Sequence, residues 1–187
     1  MRRFNRHGRL LVAGIAAVAA AGSLAQSAQA RPVPAVPDDI KVEAGHKMFL
    51  LANAVGVQIY SCNASAAGPV WGFVAPRADL FDKRGRLVIK HFGGPTWQFT
   101  DGSSVVARLV RPVTVDATAI PWLLLERATT TEGADGDRLT GTTFIQRIAT
   151  TGGLAPAAAL CNAATVGVRV EVPYTADYTF WKKKGKA

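Results

Sequence analysis

The fold is indicated most clearly by residues 97–109, which read Trp-Gln-Phe-Thr-Asp-Gly-Ser-Ser-Val-Val-Ala-Arg-Leu. Apolar side chains take alternate positions from Trp97 to Phe99 and again from Val105 to Leu109. A period of two indicates half-buried strands. Asp101-Gly102 lies between the two runs and favours a tight hairpin, because both residue types tolerate the positive φ of such turns. The stretch therefore predicts two consecutive antiparallel strands.

The same alternation of short apolar runs and turn residues continues along the chain. Further turn signals stand at Val55-Gly56, Ala67–Pro69, Asp82–Gly85, Gly93–Pro95, Gly133–Asp137 and Thr151–Gly153. Pro121–Leu125 is apolar at odd and even positions alike, which is typical of a strand covered on both faces. This spacing predicts an all-β domain, a single antiparallel β-sandwich or barrel of about ten short strands. Weak helical patterns are confined to Leu154–Leu160 and Pro76–Phe81, so we expect few short helices.

The N-terminal segment has the pattern of an export signal. Four arginines precede an apolar run of about a dozen residues, and Ala28-Gln29-Ala30 is a small-x-small cleavage site. We therefore expect a signal peptide over residues 1–30, cleavage near Ala30 and a secreted or periplasmic protein with no integral membrane segment after cleavage. A proline-rich extended lead-in follows at 31–37, then a single β domain at 38–181 and a basic tail at 182–187.

The net charge of +9 gives little support to a nucleic-acid partner. Cleavage of the signal peptide removes four of the 22 basic residues, and the tail holds four more, namely Lys182, Lys183, Lys184 and Lys186. The remaining 14 basic residues are nearly balanced by 13 acidic ones. A basic face, which nucleic-acid binding requires, is therefore not expected in the domain itself.

Two cysteines, Cys62 and Cys161, lie in the exported part of the chain. Because export places them in an oxidising compartment, we expect one intramolecular disulfide. A redox-active or metal-binding pair is the alternative, but the two residues do not have the spacing of a Cys-x-x-Cys motif.

Motifs throughout the exported region resemble those of the family known as domain of unknown function 3455. They are Gly56–Tyr60 with Cys62, Trp71 and Phe73 followed by Pro76, Ala78 and Leu80, His91 with Gly94–Trp97, Asp101–Ser103, Ile120–Leu125, Ile145–Arg147, Thr150 with Gly152-Gly153 and Ala155-Pro156, Cys161, Val172–Tyr174, and Ala176–Tyr178. The resemblance implies a secreted protein of bacteria or fungi, a single domain of this size and no established activity. Family members often carry an acidic residue directly after the tryptophan, where this chain has Gln98.

The candidate catalytic residues are His91 as base, Asp101 as the carboxylate that orients it, and Ser103 as a hydroxyl nucleophile. No Gly-x-Ser-x-Gly motif accompanies them in the exported region. They support an alternative function as a hydrolase or metal-assisted enzyme. We expect no cofactor and no metal site, because His46 and His91 are the only histidines after cleavage.

The leading hypothesis is a non-enzymatic, disulfide-stapled domain that binds a small molecule or a cell-envelope component. Aromatic side chains in the predicted strands are mostly expected in the core, but a minority with neighbouring glutamines would suit a concave ligand site. The candidate ligand-binding residues are Gln58, Tyr60, His91, Trp97, Gln98 and Gln146. A structural envelope protein with an exposed apolar patch is a third possibility.

Overall fold

A computed structural model describes residues 35–185. Its eight strands in this range are β1 (His46–Asn63), β2 (Val70–Phe81), β3 (Leu87–Phe92), β4 (Thr96–Phe99), β5 (Ser104–Val113), β6 (Trp122–Thr131), β7 (Phe144–Gly152) and β8 (Arg169–Lys183). Short 3-10 helices span Asp38–Ile40 and Ala158–Leu160. The expected signal peptide, residues 31–34 of the lead-in and the last two residues of the tail lie outside the described residues.

All eight strands form one antiparallel sheet that closes into a barrel. Each strand pairs with the next one along the chain, and β8 returns to pair with β1 from His46 opposite Lys183 to Ser61 opposite Arg169. The all-β prediction is confirmed, and the structure decides for a barrel. There are fewer strands than the ten or so expected, because β1 and β2 continue through positions where the sequence suggests interruptions.

Two local predictions are wrong for this reason. The Val55-Gly56 turn lies inside β1, where Gly56 pairs with Ala78 and Tyr174 on its two neighbours. A Cβ at Gly56 would lie 2.2 Å from the Arg77 carbonyl oxygen, so this glycine serves a close approach of strands and not a turn. The weak helix at Pro76–Phe81 is part of β2, because pairing with β1 satisfies its backbone groups.

Other local predictions are confirmed. Asp101-Gly102 forms the β4–β5 hairpin, in which the Phe99 amide donates to the Ser103 carbonyl oxygen at 2.8 Å. Leu123 and Leu125 pack inside the barrel, while Trp122 and Leu124 pack on its outside. Pro121–Leu125 is therefore covered on both faces, as its parity predicts.

The barrel has a core inside and a second apolar cluster outside. The interior is filled by residues from all eight strands, including Leu80, Ile89, Trp97, Tyr178 and Phe180. Outside, Ile40 and Val36 of the N-terminal segment cover Leu124 and Ile148 on β6 and β7. Of the fourteen aromatic side chains described, six are buried, six are half-buried, and two, Phe73 and Phe92, are exposed.

Consecutive strands run in opposite directions, so the connections alternate between two ends of the barrel. We call one the disulfide end; it holds the connections at 64–69, 93–95, 114–121 and 153–168. Cys62 and Cys161 are bonded there, with Cα atoms 5.3 Å apart, which confirms the predicted disulfide. The other, called the tail end, holds the connections at 82–86, 100–103 and 132–143 together with the C-terminus of β8.

Substitution Gly56→Ala should destabilise the domain by about 3 kcal/mol or more, because its Cβ would overlap the β2 backbone and neither strand can move without opening the barrel. Urea unfolding monitored by tryptophan fluorescence measures the effect. Gly185→Ala is the matched control, since a Cβ there meets nothing within 4 Å. Equal stability of the two variants would contradict the close approach at Gly56.

Candidate functional site

A group of polar and aromatic side chains projects into the barrel toward its disulfide end. We call it the interior cluster; its members are Gln58, Tyr60, His91, Trp97, Arg147, Tyr174 and Tyr178. They come from β1, β3, β4, β7 and β8, and each is at most 9% exposed. Side chains on a strand alternate between the two faces of the sheet, so each of these positions shares its parity with interior core residues.

The aromatic part of the cluster is built around His91. Its ring stacks on Trp97, with ring centroids 4.2 Å apart and planes 7° from parallel. Tyr178 meets the edges of both rings, at centroid distances of 5.3 Å from His91 and 5.6 Å from Trp97. The Tyr174 hydroxyl lies 3.4 Å from the Tyr178 hydroxyl and extends the group toward β1.

Gly153 closes the cluster at the disulfide end. Its carbonyl oxygen accepts a hydrogen bond of 2.8 Å from the Tyr60 hydroxyl. A Cβ on Gly153 would lie 2.9 Å from Tyr174 Cβ and 3.2 Å from Gln58 Cγ, so only a glycine fits between these two side chains. Its φ of 78° also favours glycine.

The protonation state of His91 follows from its surroundings. Nδ1 lies 2.8 Å from the Thr96 carbonyl oxygen, which can only accept, so Nδ1 carries the proton. Burial lowers the pKa of His91 to about 4; the bond to Thr96 opposes this shift, and the positive charge of Arg147 adds to it. His91 is therefore a neutral side chain near pH 7.

Arg147 is the charged member of the cluster. Its Nε and Nη2 both donate to the Pro121 carbonyl oxygen, at 3.1 Å and 2.8 Å. Burial raises the pKa values of Tyr60, Tyr174 and Tyr178, and the charge of Arg147 acts on all three in the opposite direction. The guanidinium therefore lies close enough to influence the hydroxyl groups and His91 alike.

Two buried donors in the cluster have no hydrogen-bond partner. They are the side-chain nitrogens Gln58 Nε2 and Trp97 Nε1, on residues 3% and 1% exposed. His46 Nε2 and Thr142 Oγ1 are the other buried side-chain atoms without a partner among residues 35–185, and both lie at the tail end. Native proteins leave few such groups, so a pair in one cluster marks this part of the interior.

The candidate catalytic residues are not brought together as a triad. His91 bonds to the Thr96 backbone inside the barrel. Asp101 accepts from the Ser103 hydroxyl at 2.6 Å and from the Arg138 amide at 2.9 Å in the hairpin at the tail end. Desolvation opposes ionisation of Asp101, but these hydrogen bonds outweigh it and lower its pKa. Asp101 and Ser103 thus fasten the hairpin to the β6–β7 connection.

The candidate ligand-binding residues are divided between the two faces of the sheet. Gln58, Tyr60, His91 and Trp97 meet inside the barrel. Gln98 is exposed on the outer face, beside a depression of about 290 Å³ that Leu87 and Phe99 also line.

Gln146 is buried on the outside, under the N-terminal segment. Its Nε2 donates to the Ile40 carbonyl oxygen at 2.7 Å, and its Oε1 accepts from Thr179 Oγ1 and Trp181 Nε1. This amide therefore has a partner at each end, and its contacts hold the covering segment on the barrel.

Sequence reasoning did not single out Arg147. Its position could have been inferred from the alternation of side chains along a strand. Arg147 lies two positions after Ile145, which belongs to the interior core, so both side chains face inward from β7. Among residues 35–185, no group of three or more His, Cys, Asp or Glu is placed to hold a metal ion.

Lowering the pH should destabilise the domain through His91. Its pKa is about 4 when folded and 6.5 when unfolded, so the unfolded chain takes up the proton first as the pH falls. The free energy of unfolding should drop by roughly 3 kcal/mol between pH 7 and pH 4. Urea unfolding at several pH values measures this slope. His91→Phe should remove most of this slope, and an unchanged slope in that variant would contradict the assignment.

Comparison with known proteins identifies the family of the chain. The model of the family described as Protein of unknown function (DUF3455) matches residues 43–182, which include all of β1 to β7 and all of β8 except Lys183. No curated protein and no solved structure shows significant similarity to the chain. The matched region covers the whole barrel apart from its last residue and contains both cysteines and the interior cluster. The chain belongs to the DUF3455 family.

Proposed function

We propose that this protein is a secreted β domain that binds a small molecule at the interior cluster. The disulfide between Cys62 and Cys161 is compatible with export, as disulfides persist in oxidising compartments. Within residues 35–185, no helix is long and apolar enough to cross a membrane. The predicted signal peptide supports the same proposal from the sequence.

The observation that carries the proposal is the pair of unpartnered donors, Gln58 Nε2 and Trp97 Nε1. A buried polar group without a partner costs about 1–3 kcal/mol, so a chain selected for stability alone would place apolar side chains there. An acceptor oxygen of a bound molecule would satisfy these donors. The rings of Trp97, Tyr174 and Tyr178 would supply apolar contact beside it.

The geometry gives less support to the hydrolase alternative. A base must reach the proton that it abstracts, and it needs a partner that orients it. His91 is oriented by the Thr96 backbone, while Asp101 and Ser103 bond to each other at the tail end. Binding is therefore the function that these side chains support best.

Substitution Gln58→Leu provides a test of the unpartnered donor. Removing the amide should leave the stability of the ligand-free domain unchanged or raise it by about 1 kcal/mol, because the desolvation cost disappears. The same variant should lose ligand-induced shifts of the Trp97 indole N–H signal in ¹H–¹⁵N spectra. Suitable probes are acetamide, benzamide, acetate and benzoate, added to the mature protein.

Gln98→Leu, on the outer face, is the matched control and should keep those shifts. The Trp71 indole N–H, which already donates to the Ala157 carbonyl oxygen, serves as an internal reference. Native mass spectrometry of the exported protein complements the titration by reporting any molecule lost on denaturation. A large loss of stability in Gln58→Leu, or shifts absent at Trp97 for every probe, would contradict small-molecule binding.

A second candidate function, attachment to a lipid surface of the cell envelope, is favoured by the disulfide end. Residues 64–76, 92–96, 112–121 and 153–168 form its connections and parts of the adjoining strands; they contain one charged residue, Asp116, and Arg169 follows them at the start of β8. Nine of the thirteen exposed large hydrophobic residues described lie in these segments: Val70, Phe73, Val74, Phe92, Val115, Leu154, Leu160, Val166 and Val168. Exposed apolar surface of this kind marks interaction sites.

Vesicle flotation tests this attachment. The mature protein should float with phosphatidylcholine vesicles, and the bound fraction should not depend on NaCl, because the contact is apolar. Phe73→Asp with Leu160→Asp should reduce the bound fraction at least fivefold, whereas Leu87→Asp at the tail end should not. Binding that NaCl abolishes would contradict an apolar contact, and absence of binding would exclude this candidate.

A further inference from the structure

We infer that the ligand of the interior cluster carries an oxyanion group, and that Arg147 is the residue that recognises it. The inference rests on the proposed small-molecule binding and specifies the chemistry of the molecule. It follows from the charge balance inside the barrel, from the chemistry of the groups around Arg147, and from the way in which the guanidinium is held.

Arg147 is a buried cation without an acidic partner. The residue is 9% exposed, and no Asp or Glu among residues 35–185 forms an ion pair with it. Other arginines of the barrel differ in this respect, for example Arg77, which pairs with Glu171, and Arg108, which pairs with Glu126. Burying a charge without a counter-ion is costly, so its presence inside the barrel calls for an anion from elsewhere.

The groups around Arg147 also suit an anion. Gln58 and Trp97 each offer an N–H without a partner. The hydroxyls of Tyr174 and Tyr178 remain protonated, because burial raises both pKa values; they lie 3.4 Å apart, so one hydrogen joins them and the other can be donated. A neutral His91 adds no second positive charge. Among residues 35–185, the barrel interior therefore contains one cation and several donors, and no buried carboxylate competes for them.

Pro121 uses only one edge of the Arg147 guanidinium, and the Tyr178 hydroxyl lies within hydrogen-bonding reach of the same group. The Pro121 carbonyl oxygen accepts from Nε and from Nη2, which occupies one edge of the planar group. A guanidinium has five N–H donors, so the edge formed by Nη1 and the second hydrogen of Nη2 is not used by Pro121. That edge matches the two oxygens of a carboxylate or phosphate, which arginine binds in a bidentate manner.

Pairs of probes that differ in charge test the inference on the unmodified mature protein. Acetate and acetamide, benzoate and benzamide, and inorganic phosphate and trimethyl phosphate are titrated while the Trp97 indole and arginine Nε signals are followed by NMR. At least one anion should bind ten times more tightly than its neutral counterpart and should shift the Arg147 Nε signal. The carboxylate and phosphate pairs together show which oxyanion is preferred.

Variants of Arg147 link the preference to this residue. Arg147→Lys keeps the charge but loses the planar fork, so anion affinity should fall about tenfold. Arg147→Met should remove the preference for anions altogether, and its stability should be maintained, since a buried unpaired charge has been replaced by an apolar side chain. Arg84→Met, in the exposed turn at the tail end, should bind like the unmodified protein.

The outcomes separate this inference from the proposed function. Equal binding of charged and neutral probes at Trp97 would overturn the oxyanion assignment and leave small-molecule binding intact. Anion binding that Arg147→Lys and Arg147→Met leave unchanged would also overturn the role of Arg147. No shift at Trp97 with any probe would contradict both the inference and the proposed function.

Discussion

The pairing of β1 with β8 is the constraint on which the rest of the structure depends. The first and last strands meet along almost their full lengths, and this ladder converts an open sheet with two exposed edges into a closed barrel. Closure gives each strand one face toward a common interior, where Tyr60 of β1 and Arg147 of β7 come within electrostatic reach. It also requires Gly56 at the crowded contact with β2. Without closure, neither the interior core nor the interior cluster would exist.

The two buried glutamines differ in whether their polar atoms have hydrogen-bond partners. Gln146 faces outward and has partners for both its nitrogen and its oxygen, so its burial is compensated by contacts that fix the N-terminal segment. Gln58 faces inward, and its nitrogen has none. Satisfied polar groups specify a unique packing, whereas unsatisfied ones lower stability and need another reason. A buried glutamine is therefore hydrogen-bonded at both polar atoms on the outer face of the sheet and lacks a partner for its nitrogen on the inner face.

Charge is distributed unevenly along the barrel axis. The disulfide end is nearly free of charged residues, while the tail end carries ion pairs such as Arg86 with Asp82. Arg147 departs from this pattern, because it places a cation inside the barrel toward the end whose connections hold only one charged residue, Asp116. A low-dielectric environment strengthens any interaction that this charge makes with an anion. The apolar connections support the proposed lipid attachment, and the buried cation supports the proposed binding of an anion.

The sequence by itself determined the local structure and the fold class. Alternation around Asp101-Gly102 predicted the β4–β5 hairpin, and the two-sided apolar pattern of Pro121–Leu125 predicted a doubly covered strand. Two cysteines in a chain whose N-terminus has the pattern of an export signal predicted the disulfide. Predictions from neighbouring residues were wrong where a distant strand determines the conformation. Gly56 was expected in a turn, but it lies within β1, where the β2 backbone approaches it closely. Four of the seven members of the interior cluster, Gln58, Tyr60, His91 and Trp97, were among the candidates taken from the sequence, because such side chains are conspicuous there. The division of Gln58 from Gln146 and the isolation of Arg147 were decided by tertiary structure, because only closure of the barrel determines which face is interior and which charges find a partner.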